Sequence, residues 1–589
     1  MDLYLKKGLV MRKKIETNRE VYDEVKKLGY SNLVASIVGN RIKDPLLVKG
    51  ILTPTIDVVP SLDRLLDAHK AANIIYTHLI AGGNIVAITD SDSDGVSSAA
   101  IIYRSIIDYF NHDVESLHVL VNERLYGNGV NDEMIKRTLA IHKERKVDLV
   151  ITADHGSADD VRFGILKKEG VGDIVVTDHH LLPKEGELEY SDAFVNPQRD
   201  NDTFSVNISG CHVIYLVMTL VYDLFKNNGH RILIEDNMRT ILPIMTNTIL
   251  SDQMDMRDPI NRYYLKEGLH ELSNSLDIIW VAARELLDLP KVVTEETISF
   301  MIAPLLNAAN RTGKAYLAYE FLVSRDIHDA IANLKVLIKL NNERKKTEST
   351  MLAIANAGVK LNPYSNSIVT LLPEGLGVAG LISNTLGDRL QVPAFTFVEG
   401  REGNLVGSGR GIVEGIDLKG ILDTITKEDP TIIIKSGGHK GAAGCTIRSE
   451  KIREFMAMFD KLAEATKSED GVVNKYDIEV PFEYIGDNLY DEIQKAGPYG
   501  RGYDRPTIKT DIILEMFRYI GKPPMHAILK IYNKERTMMH EAFFPKSAMI
   551  RLMKYKQNIS TILFTLGKKR YLGKTTVSPT ISSIGERDE

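Results

Sequence analysis

From residue 84 onward, apolar runs of strand length alternate with amphipathic runs of helical length. "NIVAIT" (84–89), "SLHVLV" (116–121), "DLVITA" (148–153) and "DIVVTD" (173–178) read as strands. Between them "GVSSAAIIYRSIIDYF" (95–110), "DEMIKRTLAIHKER" (132–145) and "ADDVRFGILKKEG" (158–170) read as helices. Continuous apolar runs alternating with helices predict an α/β fold, a parallel sheet covered by helices. Three of these strands run into an acid: Asp90, Asp154 and Asp178. Open α/β sheets bind ligands beyond the carboxyl ends of their strands, so these groups are expected to converge.

Residues 1–80 and 260–357 read as mainly helical, the latter closing on the charged run "LNNERKKTEST" (340–350) in a long connecting helix. A second α/β block follows, from "SIVTLLP" (367–373) through "GVAGLISNTLGDRL" (377–390) to "GGHKGAAGCTI" (437–447). After the charged stretch "KSEDG" (467–471), β-rich segments such as "PTIKTDIILEMF" (506–517) and "MHAILKIYN" (525–533) predict a small barrel or sandwich.

A chain of 589 residues exceeds one core, so three or four domains are expected. The longest uncharged apolar run, "VIYLVMTLV" (213–221), is far shorter than a membrane span, and "MDLYLKKGLVMRKK" lacks the apolar stretch of a secretory signal. No membrane association is expected. Cys211 and Cys445 stand alone in apolar surroundings, which fits packing in a reducing cytoplasm. The net charge of −6 argues against a polyanionic partner until its distribution is examined. Between Arg501 and Lys574 sixteen Lys/Arg face five Asp/Glu, so a basic C-terminal module joins an acidic body. That asymmetry suits contact with a polyanion, or a merely solvated basic surface.

Four segments carry candidate chemistry: Asp90-Ser-Asp92-Ser-Asp94-Gly95; "ITADHGSADD", with Asp154; "VVTDHH", with Asp178, His179 and His180; and "TILSDQMDM", with Asp252. The first resembles a calcium loop, but that loop needs an acid six positions beyond its glycine, where this chain has Ile101. A lone aspartate at a strand end is commonly a turn or helix cap, and a lone buried histidine is commonly just hydrogen-bonded. Two histidines following an aspartate at a strand terminus are harder to explain that way. Together the segments offer hard carboxylate oxygens and imidazole nitrogens, a mixture that suits Mn²⁺ or Mg²⁺ and admits Zn²⁺ or Co²⁺ less selectively. A shared aspartate between two ions about 3.5–4 Å apart gives the clamp used for in-line displacement at phosphorus. Hydrolysis of a phosphate ester follows; which ester does not.

The four segments resemble motifs I to IV of the DHH phosphoesterase superfamily, and further matches resemble its RecJ-type single-strand-specific exonucleases. "ERLYGNG" (123–129) resembles an Arg-containing segment of that group. "NP" (196–197), "NRYYLKEGL" (261–269) and "PLLNAANR" (304–311) fall in the expected order. "GSGR" (407–410) and "SGGHKGAAGCTI" (436–447) resemble the DHHA1 domain, and "AGPYGRGYDRP" (496–506) the start of an oligonucleotide-binding (OB) barrel. The resemblance spans roughly residues 30 to 545. It implies an N-terminal helical region (1–80), a DHH catalytic domain (81–325), a connecting helix (326–358), a DHHA1 domain (359–466) and an OB-like domain with its tail (467–589).

Carried over position by position, the resemblance implies metal ligation by Asp92, Asp94, Asp154, His179 and Asp252, with Asp90 and His180 in or beside that shell. His180 is alternatively a group that orients the substrate phosphate. Arg124, Arg311, Ser408 and Arg410 are implied to hold the DNA backbone or its 5′ phosphate, since guanidinium forks match phosphate oxygens. His439 is implied to contact the scissile phosphate, with Gly437 and Gly438 letting backbone N–H groups approach it. Tyr499 and Tyr503 are candidates for base stacking or for ordinary core or surface positions.

The implied activity is 5′→3′ exonucleolytic hydrolysis of single-stranded DNA with two divalent cations, Mn²⁺ ahead of Mg²⁺, in recombination, repair or replication. The implied protein is a cytoplasmic monomer, served by a helicase or a single-strand-binding protein. Two alternatives remain: a DHH phosphodiesterase for short oligonucleotides or cyclic dinucleotides, and a replication scaffold that binds DNA without cutting it. The extra N-terminal region and basic C-terminal module favour a long polymer over the first. The intact set of acids and histidines disfavours the second. The sequence also departs from the family pattern, with Thr89 and Ser91 in motif I, Ala309 and Asn310 before Arg311, and a second acid, Asp255, in motif IV. The poor fit beyond about residue 545 points to a distant branch, with a virus-encoded enzyme in an infected-host cytoplasm as one form of it.

Overall fold

The computed structural model describes the chain except residues 1–10, 124–125, 128, 184–185, 360–363, 365, 401–402, 413–414, 466–472, 522–525, 546–558, 572–573 and 586–589. It divides into two compact units. One comprises Leu46–Glu343 with Pro498–Asp504, the other Met1–Pro45, Arg344–Gly497 and Arg505–Glu589.

The first unit is built on five parallel strands: β1 (Ile85–Thr89), β2 (Leu117–Val121), β3 (Leu149–Ala153), β4 (Asp173–Thr177) and β5 (Ala193–Val195). Their order is β2-β1-β3-β4-β5. All five residues of β1 and of β3 are buried, as expected of strands covered on both faces. Val86, Ile88, Val150, Ile174 and Val176 share one core with Met134 of helix α2 (Asp132–Glu144) and with Phe163 and Leu166 of α3 (Asp160–Lys168). Helix α1 (Ser93–Arg104), α4 (Gly210–Asn227) and α5 (Leu242–Ser251) complete the part of the unit that concerns the site. Because β1 lies between β2 and β3, the chain reverses direction across the sheet at β1/β3. A crevice opens at such a switch point beyond the strand ends. Asp90 follows β1 and Asp154 follows β3, so both stand at that crevice.

Helices Pro259–Asn274, Ile278–Leu287, Ala303–Arg311 and Ala315–Leu322 extend this unit, with Trp280 fully buried among them. The anticipated long helix runs over Ile327–Val359, and the division between the units falls within it.

The second unit holds a five-stranded sheet in the order Ile433–Gly438, Ala442–Arg448, Asn404–Arg410, Ala394–Glu399, Ile368–Leu372. Only its last pair is parallel. Stacked Phe395 and Phe397 pack on Phe455 and Phe459 of helix Ile452–Ala465. The C-terminal β-rich region forms one seven-stranded sheet from Ile478–Glu479 to Ile513–Ile520, with the hairpin Thr561–Tyr571/Lys574–Gly585 inside it. Its two edges do not pair among the described residues, so the expected barrel is an OB-like sheet that stays open. A two-residue strand at one edge offers too few N–H and C=O groups to close it. The N-terminal segment also joins this unit, Met11–Lys14 pairing in parallel with Val473–Tyr476. No helix among the described residues is long and apolar enough to cross a membrane.

Candidate metal centre

Asp92 is the N-cap of α1: its Oδ1 accepts hydrogen bonds from the Asp94 N–H at 2.8 Å and the Gly95 N–H at 3.2 Å. The close Asp-x-Asp-x-Asp-Gly spacing thus folds into a turn that starts a helix, and Gly95 is required there. A Cβ at that position would lie 2.2 Å from the Asp90 carbonyl oxygen. Asp94 sits in the first turn of α1, on its buried side, and is 1% exposed. Its two carboxylate oxygens accept from the N–H groups of Gly210 (2.8 Å) and Cys211 (3.1 Å), the first turn of α4. A helix N-terminus presents unsatisfied donors and a positive dipole end, so it holds this acid by its charge as well as its hydrogen bonds.

Asp154 follows β3 in a left-handed conformation, φ 63°, that a short polar side chain tolerates. It is 2% exposed, and its Oδ1 has no hydrogen-bond partner among the described residues. A Cβ at Gly210 would fall 2.5 Å from that same oxygen, so the absence of a side chain in α4 leaves the acid its place.

His179 follows β4. Its Nδ1 lies 3.1 Å from the Ile208 carbonyl, which fixes the tautomer with the proton on Nδ1 and turns the Nε2 lone pair inward. Nε2 lies 3.3 Å from Asp154 Oδ1, 3.6 Å from Asp252 Oδ2 and 3.7 Å from Asp94 Oδ2. Asp252 caps the C-terminal end of α5 and is partly open, with its side chain 31% exposed. Asp255, the second acid of that segment, is turned away into a fork with Arg257 (2.5–3.1 Å).

Ligand-capable atoms therefore gather in three overlapping sets: Asp90, Asp92 and Asp154; Asp94, His179 and Asp252; Asp154, His179 and His180. The crowding has an electrostatic cost. Burial, then repulsion from Asp94, Asp92 and Asp90, pushes Asp154 well above the usual carboxylate range. Burial and the charges of Asp90 and Asp94 bring Asp92 to about 6, and burial with Asp94 brings Asp252 to about 8. Burial also raises Asp90 and lowers His179. Acids held toward neutrality beside an imidazole with an inward lone pair, and a buried oxygen without a donor, form a donor set that fits divalent cations.

Asp178 has a different task that sequence reading did not assign. Its Oδ1 accepts from the N–H groups of His179 (2.7 Å) and His180 (3.1 Å) and lies 2.8 Å from His180 Nδ1, while Oδ2 accepts from the Ser157 N–H (3.0 Å). Burial opposes ionisation, yet these bonds outweigh it and hold Asp178 far below its ordinary value. The same pair works against burial to raise His180 to about 9. Asn196 donates to the Ser157 hydroxyl (2.9 Å) and to the His180 carbonyl (3.0 Å), tying "NP" to the histidine turn. The Gly210 and Cys211 amides and the Ile208 carbonyl were also missed, since backbone groups far along the chain leave no local signal.

Among the remaining expected residues, Arg311 ends the helix Ala303–Arg311 in this unit, and Arg124 lies outside the described residues. Ser408, Arg410, Gly437, Gly438 and His439 belong to the other unit, where they share one region of its sheet. Gly444 pairs with both Gly437 and Ser408, and Ala442 with Arg410. Arg410 Nη1 donates to the Ser408 hydroxyl (3.2 Å) and the Gly409 carbonyl (2.7 Å). His439 closes the Ile433–Gly438/Ala442–Arg448 hairpin, donating its N–H to Ala442 O at 2.8 Å after Gly438 at φ 128°. Tyr499 and Tyr503 are 3% and 0% exposed and stack on each other at 5.8 Å, so neither offers a face to a base.

The N-terminal domain of the DHH family matches residues 84–244, the DHHA1 domain residues 375–465 and the RecJ OB domain residues 476–583. The last match continues well past residue 545, so the family pattern extends beyond the span of 30 to 545 that the motifs cover. The single-stranded-DNA-specific exonuclease RecJ of Haemophilus influenzae is 27% identical over 538 residues, covering 86% of this chain and 90% of that protein. Its namesake in Escherichia coli is 24% identical over 488 residues, covering 78% and 80%. The crystal structure of RecJ in complex with Mn²⁺ from Thermus thermophilus matches with a TM-score of 0.76 at 20% identity, covering 98% of this chain and 80% of that one. A complex with Mg²⁺ from the same organism matches with a TM-score of 0.69.

Proposed function

Carrying DHH, DHHA1 and RecJ OB domains in one chain, this protein belongs to the RecJ-type branch of the DHH phosphoesterase superfamily, and we propose that it is a metal-dependent exonuclease that degrades single-stranded DNA from the 5′ end. The observation that carries the reading is the convergence of Asp90, Asp92, Asp94, Asp154, His179 and Asp252 at the β1/β3 crevice, around a buried Asp154 oxygen with no donor of its own.

Asp90, Asp92 and Asp154 would hold one divalent cation and Asp94, His179 and Asp252 a second, with Asp154 near enough to His179 to serve both. Mn²⁺ or Mg²⁺ bound there would supply Lewis acidity, activating water and offsetting the charge that grows on phosphate oxygens during in-line displacement. The chain's own residues organise the rest. Asp94 is fixed by α4, His179 by the Ile208 carbonyl, and the histidine turn by Asp178 and Asn196. His180, with Nδ1 held by Asp178, is proposed to orient a non-bridging oxygen of the scissile phosphate. Ser408, Arg410, Gly437, Gly438, His439 and Arg311 are proposed to bind the strand. The basic OB-like module is proposed to grip it further along, which implies strong salt dependence.

The test uses single strands labelled at either end, with and without a 5′ phosphate, incubated with Mn²⁺ or Mg²⁺. Loss of label from the 5′ end first is the expected result. Asp154→Ala is expected to lose hydrolysis while retaining most of its affinity for the strand. Wild-type turnover by that variant in Mn²⁺ sinks the assignment.

A further inference from the structure

The segment Pro498–Asp504 lies far along the sequence from the acid cluster, yet it belongs to the cluster's unit and not to the unit of its flanking residues. It docks against the turn that carries Asp252. The Met256 N–H donates to the Arg501 carbonyl at 2.9 Å, and Arg501 Nη1 donates to the carbonyl of Gln253, the residue after Asp252, at 3.2 Å. The fit is close: a Cβ at Gly500 would lie 2.6 Å from Met256 Cγ, and one at Gly502 2.6 Å from Asp255 Oδ1. The tip is tied by two backbone hydrogen bonds between Gly500 and Tyr503, 3.0 and 3.1 Å, with Gly502 at φ 75°. Beneath it, the buried Arg262 guanidinium lies 4.5 Å from the Tyr503 ring centroid and donates to the Pro498 carbonyl at 2.8 Å.

Two arginines therefore flank the Asp252 turn, and their situations differ. Arg257 is committed to Asp255. Arg501 is exposed, and among the described residues it forms no ion pair. A polyanionic strand approaching clustered carboxylates needs a cation that the protein has not already neutralised. A guanidinium with donors left over matches phosphate oxygens in geometry and charge.

We propose that Arg501, delivered by the Pro498–Asp504 loop to the rim of the metal centre, binds a phosphate of the single strand beside the scissile bond. The proposal rests on the nuclease reading above and adds a substrate contact to it.

Arg501→Gln and Arg501→Lys test it through four readouts: kcat/KM on a 5′-labelled strand in Mn²⁺, Mn²⁺ affinity by calorimetry, melting temperature, and strand affinity in EDTA over a range of salt. Arg501→Gln is expected to lower kcat/KM about ten- to hundredfold, the effect of losing one charged hydrogen-bonded contact. Mn²⁺ affinity and melting should stay unchanged, and the salt slope of strand binding should shrink by about 1. Arg501→Lys should recover part of the loss. The proposal is overturned by Arg501→Gln with wild-type kcat/KM and salt slope, or by a loss that tracks weakened Mn²⁺ binding, which would make Arg501 a prop for the Asp252 turn. Should the wild-type protein bind strands and leave them whole, the nuclease reading fails, and the salt slope still judges Arg501.

Discussion

The imidazole of His179 has Nε2 to offer because Nδ1 is occupied by the Ile208 carbonyl, and Asp178 fixes its neighbour in the same way. Acids and histidines two positions apart in one strand-end turn are legible as a motif; the groups that aim them are not. Asp94 meets α4 across 116 residues, and no local pattern encodes that meeting. A further imidazole, His212, illustrates burial without a partner. Among the described residues neither ring nitrogen has a hydrogen-bond partner, the ring packs edge-on against Tyr264 at 4.4 Å, and burial drives its pKa down to about 3. The folded chain thus keeps His212 neutral where the unfolded chain, with an ordinary value near 6.5, takes up a proton. Stability should therefore fall as pH drops from about 6.5 toward 3, at up to about 1.4 kcal/mol per pH unit from this one group. His212→Phe is expected to flatten that part of the profile, read as urea midpoints at pH 7.5 and 5.

Among the elements, the strands and helices of the sheet unit follow the apolar periodicity closely, because continuous burial on both faces leaves an unbroken hydrophobic run. Deviations occur where the backbone departs from regular geometry. The helix anticipated through residue 110 ends α1 at Arg104 and continues as a π turn over Ser105–Tyr109. The segment "AGPYGRGYDRP" resembles the start of the OB region, yet its central residues leave that unit, and its glycines and tyrosines do not announce the departure. Arg262 is the anchor that holds them. Its Nε donates to Ile51 O at 2.6 Å and its Nη1 to Pro498 O at 2.8 Å, and the arginine itself is fully buried. Arg262→Ala orphans these carbonyls and should cost about 3 kcal/mol or more. The same variant should expose Pro498–Asp504 to limited proteolysis, whereas Arg262→Lys should restore part of the stability.

At the scale of the whole chain, the expected OB barrel is an open sheet, and the expected N-terminal helical region is shared between two units. Sequence could show helices there but not their allegiance, which is set by contacts between distant segments, a strand pairing and an ion pair among them. Arg41 forks onto Asp477 at 2.7 and 3.0 Å, with the side chains 9% and 2% exposed, and Asn40 and the Thr507 N–H also donate to the acid. Removing one side of a buried pair leaves the other uncompensated. Asp477→Ala should cost about 3–5 kcal/mol, lowering the melting temperature of the C-terminal unit and freeing Met11–Lys14 from its strand partner, as amide exchange would report.

The loop Pro498–Asp504 also bears on how the protein is made. A ribosome extends its product at about 5–20 residues per second. The unit that holds the acid cluster lacks part of its wall until residue 504 has been synthesised and has cleared the exit tunnel. A polypeptide released between residues 439 and 501 would own every acid and histidine and still lack Arg501, so a truncation in that interval should leave a fragment with weakened action on single strands.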